Sequence, residues 1–224
     1  THLNSKAKRN KMRRDTDLSI VNFQYSKMRR DTDLLLEELR QASAIIDDAK
    51  EDLLSRESAK EACIIAKATL TSQSYGTVLE RWIKERFGLD KQVDTLSGDA
   101  SKNGKTFEIK ASIQSAAGCF SYRQLRPFHE VDAYIILNYS YTLDKVTWLY
   151  VPHDAMNSFI CKWGGYTHGT KAKQGEIDME SIDCNSYEYS LSPNMHTKKG
   201  VGRELWQELL KYEKEEAELK EILK

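Results

Sequence analysis

The stretch that decides the fold is Ser97-Gly-Asp-Ala-Ser-Lys-Asn-Gly-Lys-Thr-Phe-Glu-Ile-Lys-Ala-Ser112. Asn103-Gly104 is the preferred dipeptide of a two-residue type I′ hairpin turn, because both of its positions need a positive φ. With that turn, Lys102 pairs with Lys105, and each pair further out has residue numbers with the same sum. The sequence therefore predicts a β-hairpin with its turn at Asn103-Gly104.

This register places chemically active side chains together. It sets Asp99 opposite Glu108, and directly opposed residues have Cβ atoms about 4.5–5.5 Å apart. Lys110 shares their face, because strand side chains alternate. Opposed carboxylates repel unless a cation lies between them, and oxygen ligands favour Mg²⁺. Lys110 is placed to orient or deprotonate a water, or to offset charge in the transition state. Nearby carboxylates oppose the lowered pKa that a base needs, which favours orientation and electrostatics.

Upstream of the hairpin the pattern is helical, from about Asp31 to Phe87. One helical face carries the apolar residues Leu35, Leu36, Leu39, Ala42, Ile46, Ala49 and Leu53. A dimer surface and a cover for the core both fit it, and core cover is the simpler interpretation. Ser58-Ala-Lys-Glu61 is a capping box that opens a second helix, and a third runs from about Ser74 to Phe87 and stops at Gly88.

Downstream the period is that of strands, followed by more helix. The predicted strands are Val93–Ala100, Lys105–Ile113, Val131–Tyr139, Val146–Val151 and Tyr187–Leu191. The predicted helices are Pro152–Trp163 and Val201–Leu223, with a loop over Gly164–Gly175. Helices, then a sheet, then a helix indicate an α/β or α+β class with a mixed central sheet flanked by helices and a helical N-terminal region.

Composition narrows the class of protein. The 224 residues have a formal net charge of zero, with a basic arm over residues 6–14 and an acidic stretch over residues 213–221. The arm is either a phosphate contact or, as favoured here, a solvated tail. The four cysteines have no metal-binding spacing and suit reduced thiols in a prokaryotic-type cytoplasm. No stretch is apolar enough to predict a membrane partner.

The Asp, the hairpin and the following Glu-x-Lys together resemble the PD-(D/E)XK nuclease superfamily, which includes many type II restriction endonucleases. The matching positions are Asp99 and Glu108-Ile109-Lys110, with Gly98 where the motif often has proline. The resemblance implies Mg²⁺, with Mn²⁺ as a possible substitute, bound by Asp99, Glu108 and the backbone carbonyl of Ile109. Families of this kind often add an acidic residue from a preceding helix, and Glu80 is the candidate.

The resemblance implies a type II site-specific deoxyribonuclease of a restriction-modification system, which hydrolyses phosphodiesters of double-stranded DNA as a homodimer. The expected organisation is a basic arm (1–30) and one nuclease domain (31–224). Within that domain we expect a helical region (31–73), a catalytic core (74–151), DNA-contacting loops and strands (152–200) and a C-terminal helix (201–224). A repair, resolvase or transposon-type nuclease on the same fold stays open, as does a non-catalytic DNA-binding module.

Three segments offer side chains for DNA, because Arg, Lys and Gln bind phosphates and base edges. The candidates are Gln114, Arg123, Gln124, Arg126, Lys171, Lys173, Gln174, Lys198 and Lys199. The scattered histidines His129, His153, His168 and His196 predict ordinary surface or packing roles. Gly98–Thr106 has one residue too many for a phosphate-binding loop, and no helix follows it. The octapeptide repeated at Lys11–Leu18 and Lys27–Leu34 predicts a local duplication.

Overall fold

A computed structural model describes residues 34–92, 96–167, 177–180, 182 and 187–224 of the chain. The basic arm, the octapeptide at 11–18, His168, Lys171, Lys173 and Gln174 lie outside the described residues. The chain divides into two compact units, residues 1–48 and residues 49–224. Its architecture is mixed α+β, with a mixed central sheet flanked by helices, as the sequence predicts at that level.

Helix α1 covers residues 34–55. The other helices are α2 (Ala59–Thr69), α3 (Ser72–Phe87), α4 (His153–Trp163), α5 (Val201–Leu209) and α6 (Glu216–Ile222), with a 3-10 turn at Leu210–Tyr212. The strands are β1 (Asp90–Lys91), β2 (Ala100–Lys102), β3 (Lys105–Ile113), β4 (Tyr122–Leu125), β5 (Ala133–Ser140), β6 (Lys145–Pro152), β7 (Gly165–Tyr166), β8 (Tyr189–Leu191) and β9 (Glu213–Lys214).

Six strands form the central sheet in the order β1-β2-β3-β5-β6-β9. Only the β3–β5 pair is parallel among these neighbours, and it matches Glu108 with Tyr134 and Lys110 with Ile136. A second sheet has the order β4-β8-β7, and β4 lies on the crossover between β3 and β5. Every residue of β5 is buried, as its continuous apolar run predicts for a strand covered on both faces.

Two apolar clusters cover the two faces of the central sheet. On one face, Ile109 and Ile135 pack with residues of α2 and α3. On the other, Tyr134 and Ile136 pack with residues of α4 and α5 and of the small sheet. Because side chains alternate along a strand, Glu108 and Lys110 project from the second face, opposite to Ile109.

Two predicted elements and one predicted helix cap differ from the structure. Residues 96, 97 and 99 form bends, so the strand predicted over Val93–Ala100 is wrong over residues 96–99, and β2 begins only at Ala100. Residues 93–95 lie outside the described part. The single C-terminal helix is also wrong. Glu213 and Lys214 pair with the free edge of β6 and thereby interrupt the predicted helix. Helix α2 begins where predicted, but the Ser58 side chain makes no capping bond.

Residues 34–48 of the first unit are helical and exposed along their whole length, including Leu35, Leu39 and Ile46. The expectation that this face covers a core is therefore wrong for these residues. Leu53, in the second unit, is fully buried and fits that expectation. Within the described residues, no helix combines the length and the apolar character that a membrane crossing requires.

Candidate active site

The hairpin of β2 and β3 forms as its turn dipeptide predicts. Asn103 and Gly104 have φ values of 53° and 79°, the positive pair that a type I′ turn requires. Lys102 pairs with Lys105, and the ladder continues to the pair of Ala100 with Phe107. The predicted register is confirmed up to that pair.

Asp99 leaves this register by one residue. Its backbone amide donates to the Phe107 carbonyl at 2.8 Å, and its Oδ2 accepts a 2.9 Å hydrogen bond from the amide of Ile109. Simple opposition of Asp99 to Glu108 is therefore wrong. The Asp99 carboxylate instead lies where the backbone of a further β2 residue would pair with β3. It accepts the hydrogen bond of the Ile109 amide that such a residue would otherwise accept. Amide and carbonyl of one strand residue point to the same side, so the Ile109 carbonyl is directed to this edge as well.

Gly98 makes this departure possible. Its φ is 76°, and a Cβ built on it would lie 2.5 Å from Val131 Cγ1 and 2.6 Å from the Phe107 carbonyl oxygen. No side chain fits so close to a backbone oxygen without displacement. Glycine is needed at position 98 because the backbone there has a positive φ and lies in close contact with Val131, just before β5.

Glu108 is the buried centre of the cluster, with 1% of its surface exposed. Lys110 Nζ donates to its Oε1 at 2.8 Å, and His129 Nδ1 lies 3.2 Å from its Oε2. Burial by itself raises the pKa of Glu108, but the charge of Lys110 and the hydrogen bonds from His129 and Lys110 outweigh it and lower the pKa to about 2. Glu108 is accordingly a carboxylate at neutral pH.

Glu80 and Lys110 belong to the same electrostatic cluster. The pKa of Glu80 is raised to about 7, mainly by burial; Lys110 lowers it, while Asp99 and Glu108 also raise it. Burial lowers the pKa of Lys110, but the charges of Glu108, Asp99 and Glu80 outweigh this and leave the pKa raised. A raised pKa keeps Lys110 protonated, which favours the electrostatic role over that of a general base.

The donor set suits a divalent cation. Asp99, Glu108 and Glu80 bring three carboxyl groups against one ammonium, so full ionisation leaves two uncompensated negative charges. In the described part of the chain, no three Asp, Glu, His or Cys side chains lie close enough to enclose a metal by themselves. Mg²⁺ uses one or two carboxylates and fills its octahedron with waters and substrate oxygens. Asp99, Glu108 and the Ile109 carbonyl fit that requirement.

The structure separates the DNA-contact candidates. Gln114 is 1% exposed: its Oε1 accepts from Ser140 at 2.7 Å and from Thr142 at 2.9 Å, and its Nε2 lies 2.8 Å from His196 Nε2. Its amide is thus hydrogen-bonded to side chains inside the protein.

The other described candidates lie nearer to solvent. Arg123 and Gln124 are exposed at an irregularity in the β4–β8 pairing, where Gln124 has a φ of 53°. Arg126 donates to Glu188 at 2.8 Å and is half-buried. Lys198 and Lys199 are exposed before α5.

His129 is the residue that sequence reasoning missed. It was predicted to have an ordinary packing role, yet it touches the carboxylate at the centre of the cluster. Its only sequence signal is Arg126-Pro-Phe-His129, a turn with proline at the second position just before the buried strand. Nothing in that signal gives the distance to Glu108, which depends on the parallel pairing of β3 with β5.

No protein-family model matches the chain, and no curated protein matches its sequence significantly. The resemblance to PD-(D/E)XK nucleases therefore depends on the motif residues and their arrangement alone.

Proposed function

We propose that this chain is a magnesium-dependent nuclease with a restriction-endonuclease-like core, which hydrolyses phosphodiester bonds of double-stranded DNA. The carrying observation is the cluster beside β3: Asp99 on the Ile109 amide, and Lys110 on Glu108. The pattern resembles that of a PD-(D/E)XK site: two acids and a lysine lie together where one strand of a hairpin ends. We further propose a type II, sequence-specific enzyme acting as a homodimer, since one site per chain cuts one strand.

Each residue has a role that follows from its contacts. Asp99 and Glu108, with the Ile109 carbonyl, would hold the cation, which would supply a Lewis acid for a phosphate oxygen. Lys110 stays charged and is held by its 2.8 Å bond to Glu108, so it orients the attacking water and offsets negative charge on the phosphate. Glu80 adds a third carboxyl group to the field around Lys110.

The chain also offers exposed groups for the DNA itself. Arg123 and Gln124 have the side chains that read guanine and adenine edges, and Lys198 and Lys199 suit phosphates. Lys171, Lys173 and Gln174, which lie outside the described residues, remain candidates on their sequence alone.

The test is plasmid digestion with Mg²⁺ or with EDTA. We expect cleavage by the wild-type protein only with Mg²⁺, and a loss of at least about 100-fold in Lys110→Gln. Lys105→Gln is the matched control, because Lys105 lies on the same strand but is exposed at the hairpin turn. Equal cleavage by wild type and Lys110→Gln would remove the catalytic proposal. Discrete fragments from linear DNA indicate sequence specificity, whereas a smear or structure-dependent nicks indicate a repair or resolvase-type nuclease.

A further inference from the structure

His129 is fixed by its backbone before its side chain is considered. Its amide donates to the Arg126 carbonyl at 3.0 Å, which closes the turn begun by Pro127. Its carbonyl accepts from the Val131 amide at 3.0 Å. The amide of the next residue, Glu130, donates to the Leu96 carbonyl at 2.8 Å. The residue is thus held on both sides by short hydrogen bonds.

The imidazole ring is fixed as well. It packs edge-to-face with Phe128, with ring centroids 4.9 Å apart and planes at 88°. Only 6% of His129 is exposed, at the wall of a cavity of about 420 Å³ that it lines with Thr106 and His153. A ring held in this way points Nδ1 at Glu108 Oε2, 3.2 Å away. The carboxylate accepts, so Nδ1 carries the proton.

The fixed His129 ring restricts the orientation of the Glu108 carboxylate. Lys110 holds one carboxylate oxygen and His129 holds the other, so the plane of the carboxylate is fixed from two directions. The bond from Glu130 to Leu96 ties the His129 loop to the segment that leads through Gly98 into Asp99. The same loop therefore supports both acids of the proposed metal site.

We infer that His129 is a positioning residue of the proposed nuclease: through its Nδ1–H it orients the Glu108 carboxylate for the divalent cation. The inference rests on the proposed function, since it assigns His129 to that metal site. His129 acts by keeping one rotamer of Glu108, and outer-shell groups of this kind change metal affinity or activity by about 10- to 100-fold.

The test compares His129→Leu, His129→Asn and His153→Asn. Leucine fills much of the ring's volume without a donor, whereas the asparagine amide can take the place of Nδ1. His153 lines the same cavity and its ring lies 2.9 Å from Asn157, which makes it the matched control. The readouts are Mn²⁺ binding by electron paramagnetic resonance without DNA, and cleavage rate as a function of Mg²⁺ concentration.

We expect His129→Leu to weaken Mn²⁺ binding about 10- to 100-fold and to raise the Mg²⁺ concentration for half-maximal cleavage by a similar factor. Its rate at saturating Mg²⁺ should change less. His129→Asn should recover most of the affinity, and His153→Asn should match wild type. If His129→Leu does not fold, His129→Gln replaces it, because the longer side chain sets its amide at the place of Nε2, turned away from Glu108.

Wild-type affinity in His129→Leu or in its replacement would overturn the inference while leaving the nuclease intact. So would an equal loss in His129→Asn, because the ring would then act only through packing. A wild-type protein that neither binds Mn²⁺ nor cuts DNA would instead overturn the proposed function, and the inference with it.

Discussion

Asp99 Oδ2 lies 2.9 Å from the backbone nitrogen of Ile109, so a side chain completes the hydrogen bonding that β2 leaves unfinished. This gives Asp99 a structural task beside its proposed catalytic one, and the two can be separated. Asp99→Asn keeps an oxygen that accepts from Ile109 but loses the charge. Asp99→Ala loses both.

We therefore expect Asp99→Asn to lose at least about 100-fold in Mg²⁺-dependent cleavage with little change in the free energy of unfolding. Asp99→Ala should be equally inactive and less stable by about 1 kcal/mol, the value of one hydrogen bond. Plasmid cleavage and urea denaturation provide the two measurements. Active Asp99→Asn protein would remove Asp99 from the metal site.

Gly98 and Gly104 test the geometry of the hairpin as a pair. Both have positive φ, and alanine at either position costs about 1–2 kcal/mol through the backbone. At Gly104 an added Cβ meets no atom within 4 Å, whereas at Gly98 it meets Val131 and the Phe107 carbonyl. Overpacking adds about 1–3 kcal/mol, so Gly98→Ala should unfold at clearly lower urea concentration than Gly104→Ala. Equal midpoints would contradict the close approach.

Gln114 and Gln124 have opposite expected phenotypes. Gln114→Leu leaves the hydroxyls of Ser140 and Thr142 without their acceptor and should cost about 1–3 kcal/mol of unfolding free energy. Gln124 is exposed, so Gln124→Ala should leave the thermal midpoint nearly unchanged. A stable Gln114→Leu protein would show that the buried network contributes little.

Arg123 and Gln124 carry the specificity prediction. If they read base edges, Arg123→Ala should weaken binding to the preferred sequence by about 1–3 kcal/mol and relax discrimination at one base position. Binding without cleavage is measured in Ca²⁺ on matched oligonucleotides. Lys199→Ala should instead weaken binding to all sequences alike and reduce its salt dependence. Uniform loss in Arg123→Ala would reassign that residue to phosphate contact.

The buried thiol of Cys63 predicts alkaline behaviour. Burial raises the pKa of Cys63 from 9.0 to about 12. A raised pKa in the folded state stabilises the fold fully below about pH 9, and this stabilisation is lost as the pH rises from 9 toward 12. The free energy of unfolding should therefore fall in that window by about 1.4 kcal/mol per pH unit more in wild type than in Cys63→Ala. Parallel slopes in urea titrations at pH 8 to 11 would refute it.

Local features of the site were predictable and long-range ones were not. Asn103-Gly104 fixes its own turn, and the pairs up to Ala100 and Phe107 follow from it. Asp99 departs from the predicted register because Gly98 packs closely against Val131. The hairpin sequence alone cannot predict this contact, because Val131 lies outside it. Gln114 resembled a base reader, but its partners Ser140, Thr142 and His196 come from distant elements.

The same limit applies to the wider fold. The apolar run of β5 predicts a buried central strand, and Gly88 ends α3 in the left-handed conformation as expected. The helical propensity of residues 201–223 is overridden at Glu213 and Lys214, because the edge of β6 offers backbone partners there. The hydrophobic pattern also predicts an apolar helical face that contains the N-terminal leucines. It does not indicate whether another part of the protein packs against that face.

The short β2 strand has a consequence for solubility. Among the described residues no strand pairs with β3 beyond Phe107 on the β2 side, so backbone groups at this border need other partners to prevent pairing with another chain. Two side chains occupy them: the Asp99 carboxylate bonds the amide of Ile109, and the Tyr75 hydroxyl bonds the backbone of Ile113. The acidic group proposed for catalysis thus also occupies an edge amide that another strand could use, and we expect variants that remove it to aggregate more readily.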